Sequence, residues 1–459
     1  MSVLASVLSA VFWGVIVLSV LVFVHEGGHF LAARAFGVRV TEFFLGMPSR
    51  LRISAKSRRF GTEYGVTPIL LGGYNRICGM EGDLDELLAP ALAIVQRDGR
   101  VLAVDLASEL GIDVERAYAL LAVLADMAAI RPYYDPERGE TPWQAEYPAA
   151  FETQRRDATM LTEYDSGHAF GAFGTTDAGE PRPVSDAQGF FEAEASHTYR
   201  GKGFLPRVTI LLAGPFVNIA LAFVLLMGSL MIGGVSMPTD SNTLGGVSEG
   251  GYAYQAGLRE GDTIVRFGSH DIASWTELVA AIDEALADGE DIPVAYVRDG
   301  QTYECVIDLP EGEQVDIIGV SALMTTYHPS FGEAFTAALS YVAMVGGSIA
   351  QLLMPQHTLE VMSQSSSIVG ISAMASEAAA SGLADLILFA AAVSVSLGFM
   401  NLLPIPPLDG GKILIEVLQL LLRRQLSTRA QNAVSYVGLA FFLFIFAFAL
   451  RNDVLRFLG

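Results

Sequence analysis

A mainly α-helical polytopic membrane protein with soluble attachments is the fold class the sequence predicts, and three observations predict it. Of the 459 residues, 52% are hydrophobic and only 17% charged, too apolar a balance for an ordinary soluble protein. Four segments carry the excess: 3–24, 208–232, 383–403 and 434–450 each approach the ~20 apolar residues that a helix needs to cross a hydrocarbon core. Bases cluster beside them. Arg34, Arg39, Arg50, Arg52, Lys56, Arg58 and Arg59 follow the first segment, and Lys412, Arg423, Arg424 and Arg429 lie between the last two. Positive loops stay in the cytoplasm, so four spans leave the N-terminus, residues 233–382 and the C-terminus outside.

The first segment reads as a permanent helix and not as a secretory signal, because no base precedes it and no small-residue cleavage site follows it. Residues 38–80 alternate apolar and polar positions and carry Gly61, Gly65, Gly72 and Gly73, the pattern of short strands and turns. Within them GVTPILLGGY (65–74) is too apolar for a free cytosolic hairpin, so a β-hairpin dipping into the bilayer is expected in the first region, 1–83.

Residues 84–200 change character, with about twenty acids against nine bases. Leu106, Leu110, Val114, Ala117, Leu120, Leu121 and Leu124 recur at spacings of three and four around a break at Gly111, which resembles a winged-helix type of helix-turn-helix over about 84–135. Asp113, Glu115 and Arg116 on its second helix are the wrong charges for a phosphate-seeking face, and the net charge of −22 argues the same for the whole chain, so no nucleic acid is expected as a partner. Residues 136–200, rich in Gly, Pro, Ser and acids, read as a flexible linker.

A second span at 201–235 leads to another module. AGLREGDTIVRF (256–267), followed by PVAYVRDGQTYECVIDL (293–309), strongly resembles a PDZ domain, an α+β unit placed at 240–325. Two uses fit it: capture of an extended chain end by strand addition, or steric filtering of access to the membrane. Residues 326–382 follow as an extracytoplasmic, amphipathic segment, and 383–459 hold the last two spans. Cys78 and Cys305 fall on opposite sides of the membrane in this topology and should not pair.

The chemistry concentrates in two motifs. VFVHEGGHF (22–30) sets His25 and His29 one turn apart on one helix face, with Glu26 beside the first. Ionisable side chains at the end of a membrane helix are costly and are normally paired or functional. Gly27 and Gly28 form helices poorly but let another backbone approach closely. Two imidazoles under-coordinate a catalytic zinc, which takes three protein ligands and keeps one open position. NLLPIPPLDGGKIL (401–414) offers a carboxylate at Asp409 on the same side, in a stretch whose prolines forbid a regular helix. Taken alone, Asp409 reads better as a turn or helix cap before Gly410 than as a ligand.

HEGGH, then Gly214, Pro215 and Asn218 in the second span, the PDZ-like module and NLLPIPPLDGG together resemble the site-2 protease family, M50-type zinc intramembrane metalloproteases, most closely its bacterial sigma-E regulator branch. The resemblance covers 1–83 and about 200–459, with 84–200 as an insertion. It implies Zn2+ held by His25, His29 and Asp409, and Glu26 as the catalytic acid and base. It also implies Asn401 as a substrate-holding residue, with Ser396 where the family often has a second asparagine. SSSIVGISAMA (365–375) resembles the family's segment before the third span, without its frequent proline. Gly72 and Gly73 are expected to line the strand that receives an unwound substrate. The implied function is hydrolysis of peptide bonds in single-span membrane proteins, such as anti-sigma factors or signal-peptide remnants, after another protease has shortened them. The implied location is the bacterial inner membrane, with the active site facing the cytoplasm. A zinc-binding scaffold that works only through its PDZ module is the alternative, and it would tolerate loss of Glu26.

Overall fold

The structure, a computed structural model, describes residues 3–458 apart from 81, 83–84, 143, 145–146, 172, 311–314, 316, 355, 357–365, 424–425 and 427. Ser365 and Arg424 therefore lie outside the described residues. The chain divides into two compact units, one of residues 1–226 with 337–459 and the other of 227–336.

The first unit is built on helix α1 (Val3–Ala35), followed by strands β1 (Val40–Leu45), β2 (Ile53–Lys56), β3 (Glu63–Val66) and β4 (Gly73–Ile77). The expected strands therefore form, but 65–74 is not a hairpin. The sheet order is β2-β3-β1-β4, with β3 parallel and β4 antiparallel to β1. Residues 67–72 thus cross from one side of β1 to the other and leave β4 as an edge strand. The sequence could not show this, because an apolar run between two strands looks the same whether the strands pair with each other or with a third. The crossing lies along α1, where the Ser19 hydroxyl donates to the Leu70 carbonyl and Gly72 rests on Val22.

Residues 88–153 form helix α2 (Leu88–Asp98), strand β5 (Arg100–Leu102), helices α3 (Ala103–Leu110) and α4 (Val114–Asp126), and strands β6 (Ile130–Tyr133) and β7 (Ala150–Thr153). The sheet is antiparallel in the order β5-β7-β6. Gly111 ends α3 in the left-handed conformation, as a helix stop requires, and Asp113 caps α4 by accepting from the Arg116 amide. Leu106, Ala117, Leu120, Leu121 and Leu124 are buried with Leu88, Leu92, Val95, Ile130 and Phe151 in one core. Val114 is exposed, because the helix begins there.

The stretch read as a linker is instead packed. After β7 the chain folds back, forms helix α5 (Ala187–Ser196), and buries Arg156, Asp157, Thr162, Asp165 and Glu194. Its acids and arginines resemble linker composition only until their partners are seen. Arg39 binds the Asp165 carboxylate through Nε at 2.7 Å and Nη2 at 2.6 Å, and Glu194 through Nη1 at 2.7 Å. Arg156 meets the same Glu194 at 2.8 Å.

Helix α6 (Phe204–Gly233) leads to the second unit, which contains strands β8 (Val235–Pro238) and β9 (Leu244–Val247), helix α7 (Tyr252–Gln255), strands β10 (Thr263–Phe267) and β11 (His270–Asp271), helix α8 (Trp275–Asp288), and strands β12 (Ile292–Arg298), β13 (Gln301–Ile307), β14 (Val320–Ala322) and β15 (Met324–Tyr327). Its main sheet runs β11-β10-β12-β13, and β9 pairs with β14. Leu258, Ile264, Phe267, Leu278, Val294 and Ile307 form its core. The chain then passes through helices α9 (Phe331–Ala350), α10 (Ile368–Ser381), α11 (Leu383–Leu402), α12 (Asp409–Leu422) and α13 (Thr428–Leu458).

Among the described residues, five helical stretches are long and apolar enough to cross a membrane, where the sequence led us to expect four: Leu4–Ala35, Phe204–Gly233, Phe331–Leu353, Leu383–Leu402 and Ala430–Leu455. The additional one, 331–353, has the lowest mean hydropathy of the five, 1.4, because alanine, glycine and serine dilute its large side chains. Helix α10 packs along α1 through small residues: Gly14 lies against Ser372, and the Ser9 and Ser376 hydroxyls are 2.7 Å apart. Both cysteines are free thiols. Burial pushes Cys78 up to about 12, so it behaves as a small core residue.

Candidate metal centre

Helix α1 presents His25 and His29 on one face, their rings 4.8 Å apart and nearly perpendicular. Asp409 is the first residue of α12, aimed by the proline-rich turn before it. All three side chains are buried. Asp409 Oδ2 lies 3.0 Å from His25 Nε2 and 3.1 Å from His29 Nε2, and the two nitrogens are 3.2 Å apart. In a tetrahedral zinc site with bonds of about 2.0–2.2 Å, neighbouring ligand atoms lie about 3.3 Å apart. These residues, far apart in sequence, therefore make a group that could hold one metal ion, and their two imidazoles and one carboxylate are the donor set of a catalytic zinc.

Neighbouring groups orient the donors. His29 Nδ1 donates to the Ile210 carbonyl at 2.8 Å, which fixes the tautomer and leaves the Nε2 lone pair for a metal. The Asn218 amide lies 3.5 Å from His25 Nδ1, and its Oδ1 is buried without a partner. A 180° turn of that amide gives Oδ1 the His25 N–H and satisfies both groups. The Ser394 hydroxyl on α11 donates to the Asn218 main-chain carbonyl.

Glycines set the distance between α1 and α6. A Cβ on Gly28 would lie 2.4 Å from the Ala213 carbonyl oxygen, and one on Gly214 would lie 2.4 Å from His29 Nε2 and 2.9 Å from His25 Nε2. Gly28 thus does what its place in HEGGH suggested, and Gly214 leaves room directly over the two imidazoles.

Glu26, half-buried, follows His25 on α1, and its Oε2 accepts from Asn75 Nδ2 of β4 at 2.8 Å. Gly72 and Gly73 lie where β4 meets α1: a Cβ on Gly72 would touch Val22 at 3.2 Å, and one on Gly73 would meet the Phe44 carbonyl oxygen at 2.9 Å and Phe23 Cα at 3.4 Å. Asn401 and Ser396 lie on α11, where each hydrogen-bonds the carbonyl four residues before it, Leu397 and Ala392. Asn75 and Ser394 escaped the sequence reading, since a single polar residue in a strand or helix carries no spacing signal.

Sequence comparison agrees with this geometry. The description of peptidase family M50 matches residues 13–445. Similar proteins include the regulator of sigma-W protease RasP of Bacillus subtilis, 24% identical over 454 residues, covering 96% of this chain and 97% of that protein. The zinc metalloprotease RasP of Geobacillus kaustophilus is 26% identical over 450 residues, covering 96% and 97%. RasP of Bacillus licheniformis is 24% identical over 457 residues, covering 96% and 98%. With a two-histidine, one-aspartate centre at the meeting of α1, α6 and α12, and a family match running almost end to end, the chain belongs to peptidase family M50.

Proposed function

We propose that the protein is a zinc-dependent intramembrane endopeptidase that cuts single-span membrane proteins, and that Glu26 is its general acid and base. The convergence of His25, His29 and Asp409 within hydrogen-bonding distance of one another carries this reading. Zinc, when bound, supplies a Lewis acid and an acidified water in a place that bulk water barely reaches. Everything else falls to the protein. His29, held by Ile210, keeps its donor nitrogen inward, and Asp409 supplies the negative charge. Glu26 takes the proton of the attacking water and returns it to the leaving amine.

A substrate helix hides its carbonyls in its own hydrogen bonds, so it must unwind before cleavage. The exposed edge of β4, next to Glu26, supports reception of the unwound chain by strand pairing. The apolar 67–72 crossing, lying beside α1 at Ser19 and Val22, dips into the bilayer in this reading. We read 88–153 as a winged-helix-like module, from its order of helix, strand, two helices and two strands, and the unit around β10, β12 and α8 as a PDZ domain. In this reading four of the five apolar helices span, α9 lies at the outer face, the active site faces the cytoplasm of a bacterial inner membrane and the PDZ domain lies outside. The name of the Bacillus subtilis relative, regulator of sigma-W protease, supports an anti-sigma factor as one substrate. Substrates with large outer domains are excluded until another protease trims them.

The deciding experiment is Glu26→Gln in the full-length chain, assayed on a single-span substrate in proteoliposomes. The expected outcome is unchanged zinc content and no cleavage. Retained cleavage would overturn the role given to Glu26, and absence of cleavage by the wild-type chain as well would support the scaffold alternative.

A further inference from the structure

We propose that Asn75 is a positioning residue for Glu26, a role that rests on the protease reading above. Strand β4 lies along α1 with alternate residues facing it. Gly73 approaches Phe23 Cα, Asn75 reaches Glu26, and Ile77 packs into the cluster of Ala33 and Val38. On the opposite face Tyr74 stacks on Phe44 and donates to Glu42. The facing positions are thus small, polar and apolar in turn, and the only polar one, Asn75, falls opposite the only acid of the HEGGH segment.

One amide nitrogen makes both contacts. Asn75 Nδ2 donates to Glu26 Oε2 at 2.8 Å and to the Glu26 main-chain carbonyl at 2.9 Å. A glutamate side chain has three rotatable bonds, and its carboxylate must stand within hydrogen-bond reach of the water it deprotonates. Anchoring Oε2 to the backbone of the same residue through a single amide folds the side chain into one arrangement. It also leaves Oε1 the freer of the two oxygens for proton transfer. Because Asn75 sits on the edge strand, a chain paired there lies beside the residue that orients the base.

A residue that merely fastened β4 to α1 would affect folding, zinc retention and substrate affinity together. A positioning residue lowers turnover while leaving those unchanged. Asn75→Leu keeps the side-chain size and removes the donor, so it is the direct test. The full-length zinc-loaded chain in detergent would be assayed for kcat and KM on a single-span peptide, with zinc content and melting temperature measured on the same samples. The expected result is a kcat lowered about 10- to 100-fold, a KM within about twofold of wild type, and unchanged zinc content and melting temperature. At least one of Asn75→Gln, Asn75→His and Asn75→Ser, which restore a donor, should recover turnover.

Unchanged kcat in Asn75→Leu overturns the proposal. So does a fall in kcat matched by a rise in KM or a loss of zinc or stability, and so does failure of all three donor variants. A Glu26→Gln control separates two failures. Cleavage that needs Glu26 but is indifferent to Asn75 sinks this proposal alone, whereas cleavage that does not need Glu26 sinks the protease reading and this proposal with it.

Discussion

Gly214 shows how narrow the tolerances at the centre are. A methyl group there would come within 2.4 Å of His29 Nε2 and 2.9 Å of His25 Nε2, closer than unbonded atoms approach. Gly214→Ala should therefore displace the imidazoles and lower zinc affinity at least about tenfold, measured by chelator competition; unchanged affinity would show that α6 can retreat. Gly27→Ala makes a useful contrast, since its Cβ would meet only Phe43 at 3.8 Å, an ordinary contact. It should bind zinc like the wild type. The ligand candidates were legible because HEGGH encodes its own geometry: a four-residue spacing on a helix fixes where two side chains point. Asp409 became legible only through its resemblance, and Asn75 not at all, because its contact depends on the register of β4 along α1.

Among the elements, α10 is held at its first turn by a residue from near the chain's end. Asp453 on α13 is buried and accepts from the Ser367 amide at 2.7 Å and the Gly370 amide at 3.1 Å, satisfying N–H groups that a helix start leaves free. Asp453→Leu should destabilise the bundle by about 1–2 kcal/mol, the usual scale of a lost cap, read as a lower melting temperature in detergent. Loss of activity without loss of stability would instead assign Asp453 to the chemistry. The helices α3 and α4 and the break between them were legible from the leucine spacing and from Gly111. The β1–β4 sheet was legible only in part: alternation reveals strands but not their partners, so a crossover passed for a hairpin.

For the whole molecule, the decisive feature is the charge cluster between β1 and the 84–200 region. Arg39, Asp165, Arg156 and Glu194 are each no more than 3% exposed. Burial alone would raise the Glu194 carboxyl, but Arg156 and Arg39 outweigh it and hold it down at about 2. A carboxyl depressed in the folded state contributes stability above its ordinary value near 4.5, and that contribution is lost as pH falls toward 2. Acid unfolding should therefore steepen between those values, and Glu194→Gln should flatten that part of the curve. The same variant should cost about 3–5 kcal/mol at neutral pH, because it leaves buried guanidinium groups short of a counter-charge. Composition could not reveal this, since the twelve acids of 136–200, among glycines and prolines, read as linker until Asp165 and Glu194 are seen with their arginines. The cluster also has a practical side. A fluorophore attached to an exposed position of α4 would not wobble on a tether but would turn as slowly as the detergent-bound body itself, and a Fab bound there would give single-particle images a fixed landmark for aligning the membrane helices.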